Sequence, residues 1–213
     1  LLATDGVMMR YAVIEDEYTR YKIYQGGLLE RFKNYQESFP LYEEIRFILQ
    51  DGYEDTHWGA FQYRNTSEDE SDQSWYQHLP KVAGSTLHII KDNPDTDFKS
   101  LYSFKPILLR NTSIEDSSQP KTLRGFLGTT ISLEWLKQEL KSLLNAPNQY
   151  VAFMNENGDN LFYFGDEHLT TFITPNTGMH LLDTDEGGIY QAREKTLFGY
   201  SLVYLVNENQ AYD

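Results

Sequence analysis

Apolar residues Leu28, Leu29, Phe32, Tyr35 and Phe39 recur at spacings of one, three, three and four. That is the one-sided pattern of an amphipathic helix. The charged and aromatic stretch over 18–24 extends the helical reading, while Gly26-Gly27 predicts a break or kink in it. Ser38-Phe39-Pro40 predicts its end, because a residue before proline leaves the helical region. Beyond it the period changes to two. EIRFILQ (44–50) and HWGAFQYR (57–64) alternate on either side of Asp51-Gly52, a hairpin pattern. A polar, acidic loop over 65–73 is followed by a short helix around 75–81, a strand over 86–90 and a turn over 92–97. A long strand over 98–109 carries Pro106, which marks an edge or a bulge.

After a polar loop over 111–121, the segment LRGFLGTTISLEWLKQEL (123–140) joins two elements without a linker. A strand over 124–131 runs into a helix from Leu133 to about Leu144, with Ser132 as its cap and Leu133, Leu136, Leu140, Leu143 and Leu144 as its apolar face. Asn145-Ala146-Pro147 stops that helix. YVAFM (150–154) and LFYF (161–164) then flank Asn157-Gly158, a strong hairpin signal. A loop is expected up to Gly188, followed by an antiparallel pair over 189–193 and 196–206. No internal sequence repeat is visible.

Composition narrows the function. At 213 residues the chain can form one domain or two small ones. Its 16 Tyr and 12 Phe exclude a disordered chain and favour sheet-rich structure. A net charge of −14 disfavours nucleic acid and anionic lipid surfaces as partners. With no Cys, thiolate metal sites, disulfides and cysteine catalysis drop out. No run reaches the 18 or so apolar residues of a membrane span, and no signal peptide is visible. The chain begins at Leu1 and ends after an apolar strand, as expected of a domain cut from a longer protein.

Read in order, SWYQHL (74–79), SFKPILL (103–109), GFLGTTISLEWL (125–136) and YVAFMNENGDNLFYF (150–164) resemble the double Cache sensor domain of bacterial transmembrane receptors. The resemblance covers nearly the whole chain. It implies an α+β fold: two PAS-like antiparallel-sheet modules on a long N-terminal helix. The expected organisation is a helical region over 1–40, a membrane-distal module with its connecting helix over 41–146, and a smaller membrane-proximal module over 147–213. The family's role is extracytoplasmic sensing. A small molecule or a partner is detected on the periplasmic side of the inner membrane. The signal passes through flanking transmembrane segments to a histidine kinase, diguanylate cyclase or chemotaxis output. The domain itself is then no enzyme and needs no cofactor, and it would homodimerise through the N-terminal helix.

The resemblance also implies a site. Amino-acid-binding members place an Arg shortly before the Trp-Tyr pair, a Tyr in the next strand and an Asp before Ile-Ser-Leu. Arg and Tyr hold a ligand carboxylate, and Asp holds the ammonium. Here Trp75 and Tyr76 match, but Asp72, Gln73 and Ser74 precede them, the next strand reads Leu87-His88-Ile89-Ile90, and Thr130 stands at the Asp position. Without those charges a zwitterion would be desolvated and left unpaired. The expectation is therefore a neutral or differently charged ligand, or none. Trp75, Tyr76, His88, Tyr102 and Thr130 are the candidate ligand residues, each of which also has an ordinary packing reading.

Other chemistry finds little support. The five His residues (57, 78, 88, 168 and 180) show no metal spacing. The acidic runs over 68–72 and 183–188 lack the ligand pattern of a calcium loop. Phosphate-binding loops and a Gly-x-Ser-x-Gly elbow are absent, and the two Asn-x-Ser sequences at 65 and 111 read as polar loops. Two alternatives remain: a ligand-free interaction module, and a secreted hydrolase using two carboxyls about 5–10 Å apart.

Overall fold

The computed structural model describes residues 2–59, 69–96, 98–110, 120–144, 149–155, 157–165, 178–183, 189–197 and 199–207. Residues 65–68 of the loop expected over 65–73 and most of that over 111–121 fall outside these residues, as do the helix stop at 145–147, His168, most of the acidic run at 183–188 and both Asn-x-Ser sequences. By internal contacts the chain divides into two compact units, Leu1–Glu134 and Trp135–Asp213.

The first unit opens with a 3₁₀ turn and helix α1 (Gly6–Val13). Asp5 caps α1, its carboxylate accepting from the Val7 and Met8 amides at 2.8 and 3.4 Å. Asp16 starts a second helical run in the same way, accepting from the Thr19 amide at 2.8 Å. That run passes from α2 (Glu17–Thr19) through a π turn at Arg20–Tyr24 into α3 (Gln25–Ser38). The interruption therefore lies at residues 14–16, and α3 continues through Gly26 and Gly27. Glycine permits a break without imposing one, and burial of Leu28 and Phe32 keeps α3 helical through the pair.

Five antiparallel strands follow: β1 (Tyr42–Ile48), β2 (Glu54–Gly59), β3 (Leu87–Asp92), β4 (Lys99–Leu109) and β5 (Thr122–Ser132). Their order in the sheet is β2-β1-β5-β4-β3. One face packs on the N-terminal helices, where Met8, Tyr11, Leu28 and Phe32 meet Ile45, Phe47, Ile107 and Leu127. On the other, Ile48, Tyr102, Phe104 and Phe126 pack against Trp75 and Leu79. The helix expected around 75–81 is only a 3₁₀ turn, Tyr76–His78. Pro80 is the reason, since it forces Leu79 into the extended region (ψ 132°). Pro106 behaves as its sequence suggests. β3 pairs with β4 only as far as Phe104, so Pro106 loses no ladder bond on that side, and a bulge follows at Ile107/Leu108.

That bulge faces Gly125, at φ +149°. A Cβ there would lie 2.4 Å from the Ile48 carbonyl oxygen and 2.8 Å from the Phe47 ring. Gly125→Ala should cost about 2–4 kcal/mol, combining backbone strain with core overlap, measured as the shift in urea midpoint. A loss under about 1 kcal/mol would mean that the strand bends to accommodate the methyl group.

The second unit holds another five-stranded antiparallel sheet: β6 (Gln149–Met154), β7 (Asn160–Gly165), β8 (Gly178–Asp183), β9 (Ile189–Leu197) and β10 (Tyr200–Asn207). Helix α4 (Leu133–Ser142) follows β5 directly, as its sequence indicates. The β6–β7 hairpin forms at Asn157-Gly158, where Asn155 Oδ1 accepts from the Asn157 and Asp159 amides at 2.9 and 2.8 Å. Two expectations are corrected here. β8 occupies part of the stretch read as loop, and the stretch over 196–206 is divided at Gly199 (φ +81°) between β9 and β10. The order is β7-β6-β10-β9-β8, the first sheet's order repeated five strands later. Among the described residues no helix is long and apolar enough to cross a membrane.

Candidate functional site

The face of the first sheet under Trp75 is unexpectedly charged. β1 reads YEEIRFI, and every residue after Tyr42 is buried, including Glu43, Glu44 and Arg46. A bulge against β5 between Tyr42 and Glu44 turns both glutamates to polar partners. Glu43 accepts from Ser100 Oγ at 2.7 Å and from Asn93 Nδ2 at 3.4 Å. Glu44 accepts from Thr130 Oγ1 at 2.8 Å and pairs with Arg46. Arg46 also pairs with Glu54 at 2.7 Å and with Glu70 at 3.3 Å. Gly128 makes room for this arginine, since a Cβ there would lie 2.8 Å from Arg46 Cγ and 3.1 Å from the Phe104 ring.

Charge and burial pull against each other in this cluster. Burial pulls the Arg46 pKa down, but the three carboxylates, Glu44 foremost, outweigh it and raise it. For Glu54, burial pushes upward but is outweighed by hydrogen bonds and charge from His57 and Arg46, leaving it below the ordinary value of 4.5. At Glu70 burial wins over Arg46 and raises the pKa.

An aromatic wall adjoins the cluster. Trp75 stacks on Phe104 at 4.2 Å, and Tyr102 lies beyond Phe104 at 6.4 Å. The Lys91 ammonium sits over two of these rings, 4.4 Å from the Tyr102 centroid and 5.1 Å from that of Trp75. Tyr76 stands edge-on to Phe126 and donates its hydroxyl to the Gln50 carbonyl at 2.6 Å. Burial, then the Glu44 charge, keeps the Tyr102 phenol neutral far above its usual range.

Four of the five residues singled out from the sequence, Trp75, Tyr76, Tyr102 and Thr130, thus share this face. Glu44, Thr130, Tyr102 and Ile89 form one cross-strand row, and Arg46, Gly128, Phe104 and Leu87 form the next. His88 is not brought together with them. Its register row is Ser103, Thr129 and Ile45, on the helix-packed face, where its Nδ1 lies 2.8 Å from Ser103 Oγ. The residues missed were Glu43, Glu44, Arg46, Glu54, Glu70 and Lys91. For Glu43, Glu44 and Arg46 the one visible signal is the charge inside an otherwise apolar β1. Charged residues do lie on this face, but Arg46 and Glu44 of β1 are paired with each other.

A second buried charge centre lies on the helix side. Asp55 pairs with Arg20 at 2.7 Å and accepts from the Tyr11 and Tyr21 hydroxyls, the latter at 3.1 Å. Tyr11 also contacts Thr56 Oγ1 at 2.7 Å. Glu54 and Asp55 are neighbours at the β2 bulge opposite Phe47/Ile48, so one irregularity in β2 faces Arg46 with one residue and the helices with the next. A cavity of about 720 Å³, lined by Ala3, Met9, Arg10, Leu108 and Lys121 among others, includes none of these charged residues.

No family model matches the sequence, and no curated protein matches it. Solved structures do. A domain of a sensory box/GGDEF family protein from Vibrio parahaemolyticus aligns with 99% of this chain and 86% of its own, at 14% identity and a TM-score of 0.58. The extracellular domain of a histidine kinase aligns with 99% and 85%, at 14% identity and a TM-score of 0.61. The ligand-binding domain of the Pseudomonas aeruginosa PAO1 amino acid chemoreceptor PctB, in complex with L-Arg, aligns with 99% and 86%, at 17% identity and a TM-score of 0.57. The chain shares the fold of these three domains. At these identities the likeness is one of fold, and both sheets of this chain fall within the aligned length.

Proposed function

We propose that this chain is the extracytoplasmic sensor domain of a membrane receptor, binding a small ligand on the charged, aromatic face of its first sheet. The observation that carries this reading is the likeness in fold of the whole chain to sensor domains of kinases, GGDEF proteins and chemoreceptors. The repeated strand order supports two PAS-like modules, placed at residues 41–146 and 147–213 and preceded by a helical region over 1–40. Ligand residues in this reading are Trp75, Tyr76, Tyr102 and Thr130, joined by Arg46 and Lys91. His88, on the opposite face, would act only through the sheet.

The β2 bulge supplies the relay. A ligand that shifts Arg46 also shifts Glu54, and the next residue, Asp55, holds Arg20 and Tyr11 of the N-terminal helices. Two arrangements of this bulge would let binding energy move the helical run, as a two-state switch requires.

The usual amino-acid scheme fits poorly, because Arg46 already spends its terminal nitrogens on three glutamates. The test is a thermal-shift screen of the purified domain against amino acids, organic acids, amines and sugars. At least one compound should raise the melting temperature with dose, since a ligand at 100 times its Kd stabilises by about 2.7 kcal/mol. A flat response to all four classes would overturn the ligand-binding reading.

A further inference from the structure

The cavity of about 720 Å³ beside α1 differs in charge from the chain that surrounds it. Its apolar lining comes from Met9 and Val13 of α1 and from Leu108 and Leu109 at the end of β4. β3 stops pairing with β4 at Phe104 and a bulge follows at Ile107/Leu108, so among the described residues the end of β4 has a strand neighbour on one side only. Met9 is left 37% exposed, on a helix whose Met8 and Tyr11 are fully buried. The charged lining is cationic. It consists of Arg10, Arg110 and Lys121, with no acid among the described lining residues. These three take part in none of the ion pairs formed among the described residues. The acids at either end of α1 are committed elsewhere, Asp5 to the α1 amides and Glu15 to Arg124 at 3.0 Å. In a chain of net charge −14, three such cations around one apolar hollow reverse the charge locally.

We propose that this cavity is a separate binding site for an amphipathic anion, an apolar chain that carries a carboxylate or sulfate group. Small-molecule sites are typically hollows of about 300–1,000 Å³ with a mostly apolar lining and a few placed polar groups. The chain of the ligand would leave water against Met9, Val13, Leu108 and Leu109, each buried methylene adding affinity. The anionic head would be shared by Arg10, Arg110 and Lys121, the guanidinium groups offering paired N–H donors. A cationic head would be repelled, and an uncharged one would leave the three cations without a partner. A short anion lacking the chain would meet only exposed, screened charges. An anionic lipid surface is disfavoured by the net charge of the chain. Because α1 contributes Met9, Arg10 and Val13, occupancy would tie α1 to the end of β4. The site shares no residue with the face under Trp75 and is independent of the sensor-domain reading.

The experiment uses the purified chain, with thermal shift followed by calorimetry. Probes are octanoate and octyl sulfate below their micelle concentrations, with acetate, 1-octanol and octylamine as the short, uncharged and cationic comparisons. Octanoate and octyl sulfate should raise the melting temperature with dose, and the three comparisons should not. Arg10→Gln, Arg110→Gln and Lys121→Gln combined should weaken octyl-anion binding at least tenfold, since three charge-assisted contacts go together. Met9→Asp, which puts an acid into the lining, should weaken it as well. All four side chains are exposed, so both variants should keep the fold, which circular dichroism checks. Binding of octylamine or octanol as tight as that of the anions would overturn the inference. So would failure of both octyl anions to bind, or octyl-anion binding that the triple variant leaves unchanged. Each of these results leaves the face under Trp75 to its own screen.

Discussion

Replacing Arg46 with Met should cost about 3–5 kcal/mol of folding stability, because it strands three buried carboxylates that pair with the arginine. Against a typical total of about 5–15 kcal/mol, that approaches unfolding of the first unit. The size comes from the partners left behind, so it should shrink when they are removed. Combining Arg46→Met with Glu44→Gln and Glu70→Gln should recover part of the loss, the non-additivity expected of one network. Urea denaturation with intrinsic fluorescence gives the numbers. A cost below about 1 kcal/mol for the single variant would show that the cluster is solvated or protonated instead.

The same cluster sets a pH dependence. Glu54 is held below its ordinary 4.5, so its contribution is present above pH 4.5 and is lost as pH falls through its depressed folded value. Glu70 is raised by burial, so its ionised form costs stability as pH rises above 4.5. At pH 7, Glu54→Gln should therefore be more damaging than Glu70→Gln. The reverse order would contradict the opposite shifts.

Asp55→Ala should cost a similar amount, about 3–5 kcal/mol, on the other side of the sheet. It leaves Arg20 buried without its carboxylate and removes the acceptor of the Tyr11 and Tyr21 hydroxyls. Two controls separate charge from packing. Asp55→Asn keeps the shape and should leave Arg20 uncompensated, whereas Arg20→Met together with Asp55→Leu should cost less than Asp55→Ala alone. Hydrogen exchange gives the spatial reading: protection should fall first in α1, the π turn and α3, before the sheet opens. Uniform loss across both units would argue that Asp55 is not the fastening of the helices.

Much of the sheet was legible because alternation depends only on neighbours in sequence. The hairpins at Asp51-Gly52 and Asn157-Gly158 and the direct join of β5 to α4 follow from turn chemistry and a change of period. β8 was not legible. Its GMHLLD lies among polar segments, and it becomes a strand by pairing with β9. Gly26-Gly27 misled for a related reason, since tertiary burial of α3 overrides local freedom.

The aromatic half of the candidate site was visible through SWYQHL and Tyr102, and its charged half was not. Pairing register brings Glu44 beside Thr130 and puts His88 on the far face, and two bulges, one in β1 and one in β2, decide which way Glu43, Glu44, Glu54 and Asp55 point. Sequence alone determined which segments extend, β8 excepted, and where most turns fall, because those choices are made within a few residues. Tertiary structure alone decided that two sheets share one strand order, that β1 buries an arginine among glutamates, and that Lys91 rests between two rings. Those features depend on residues far apart in the chain, 86 positions for Glu44 and Thr130, and chain proximity carries no information about them.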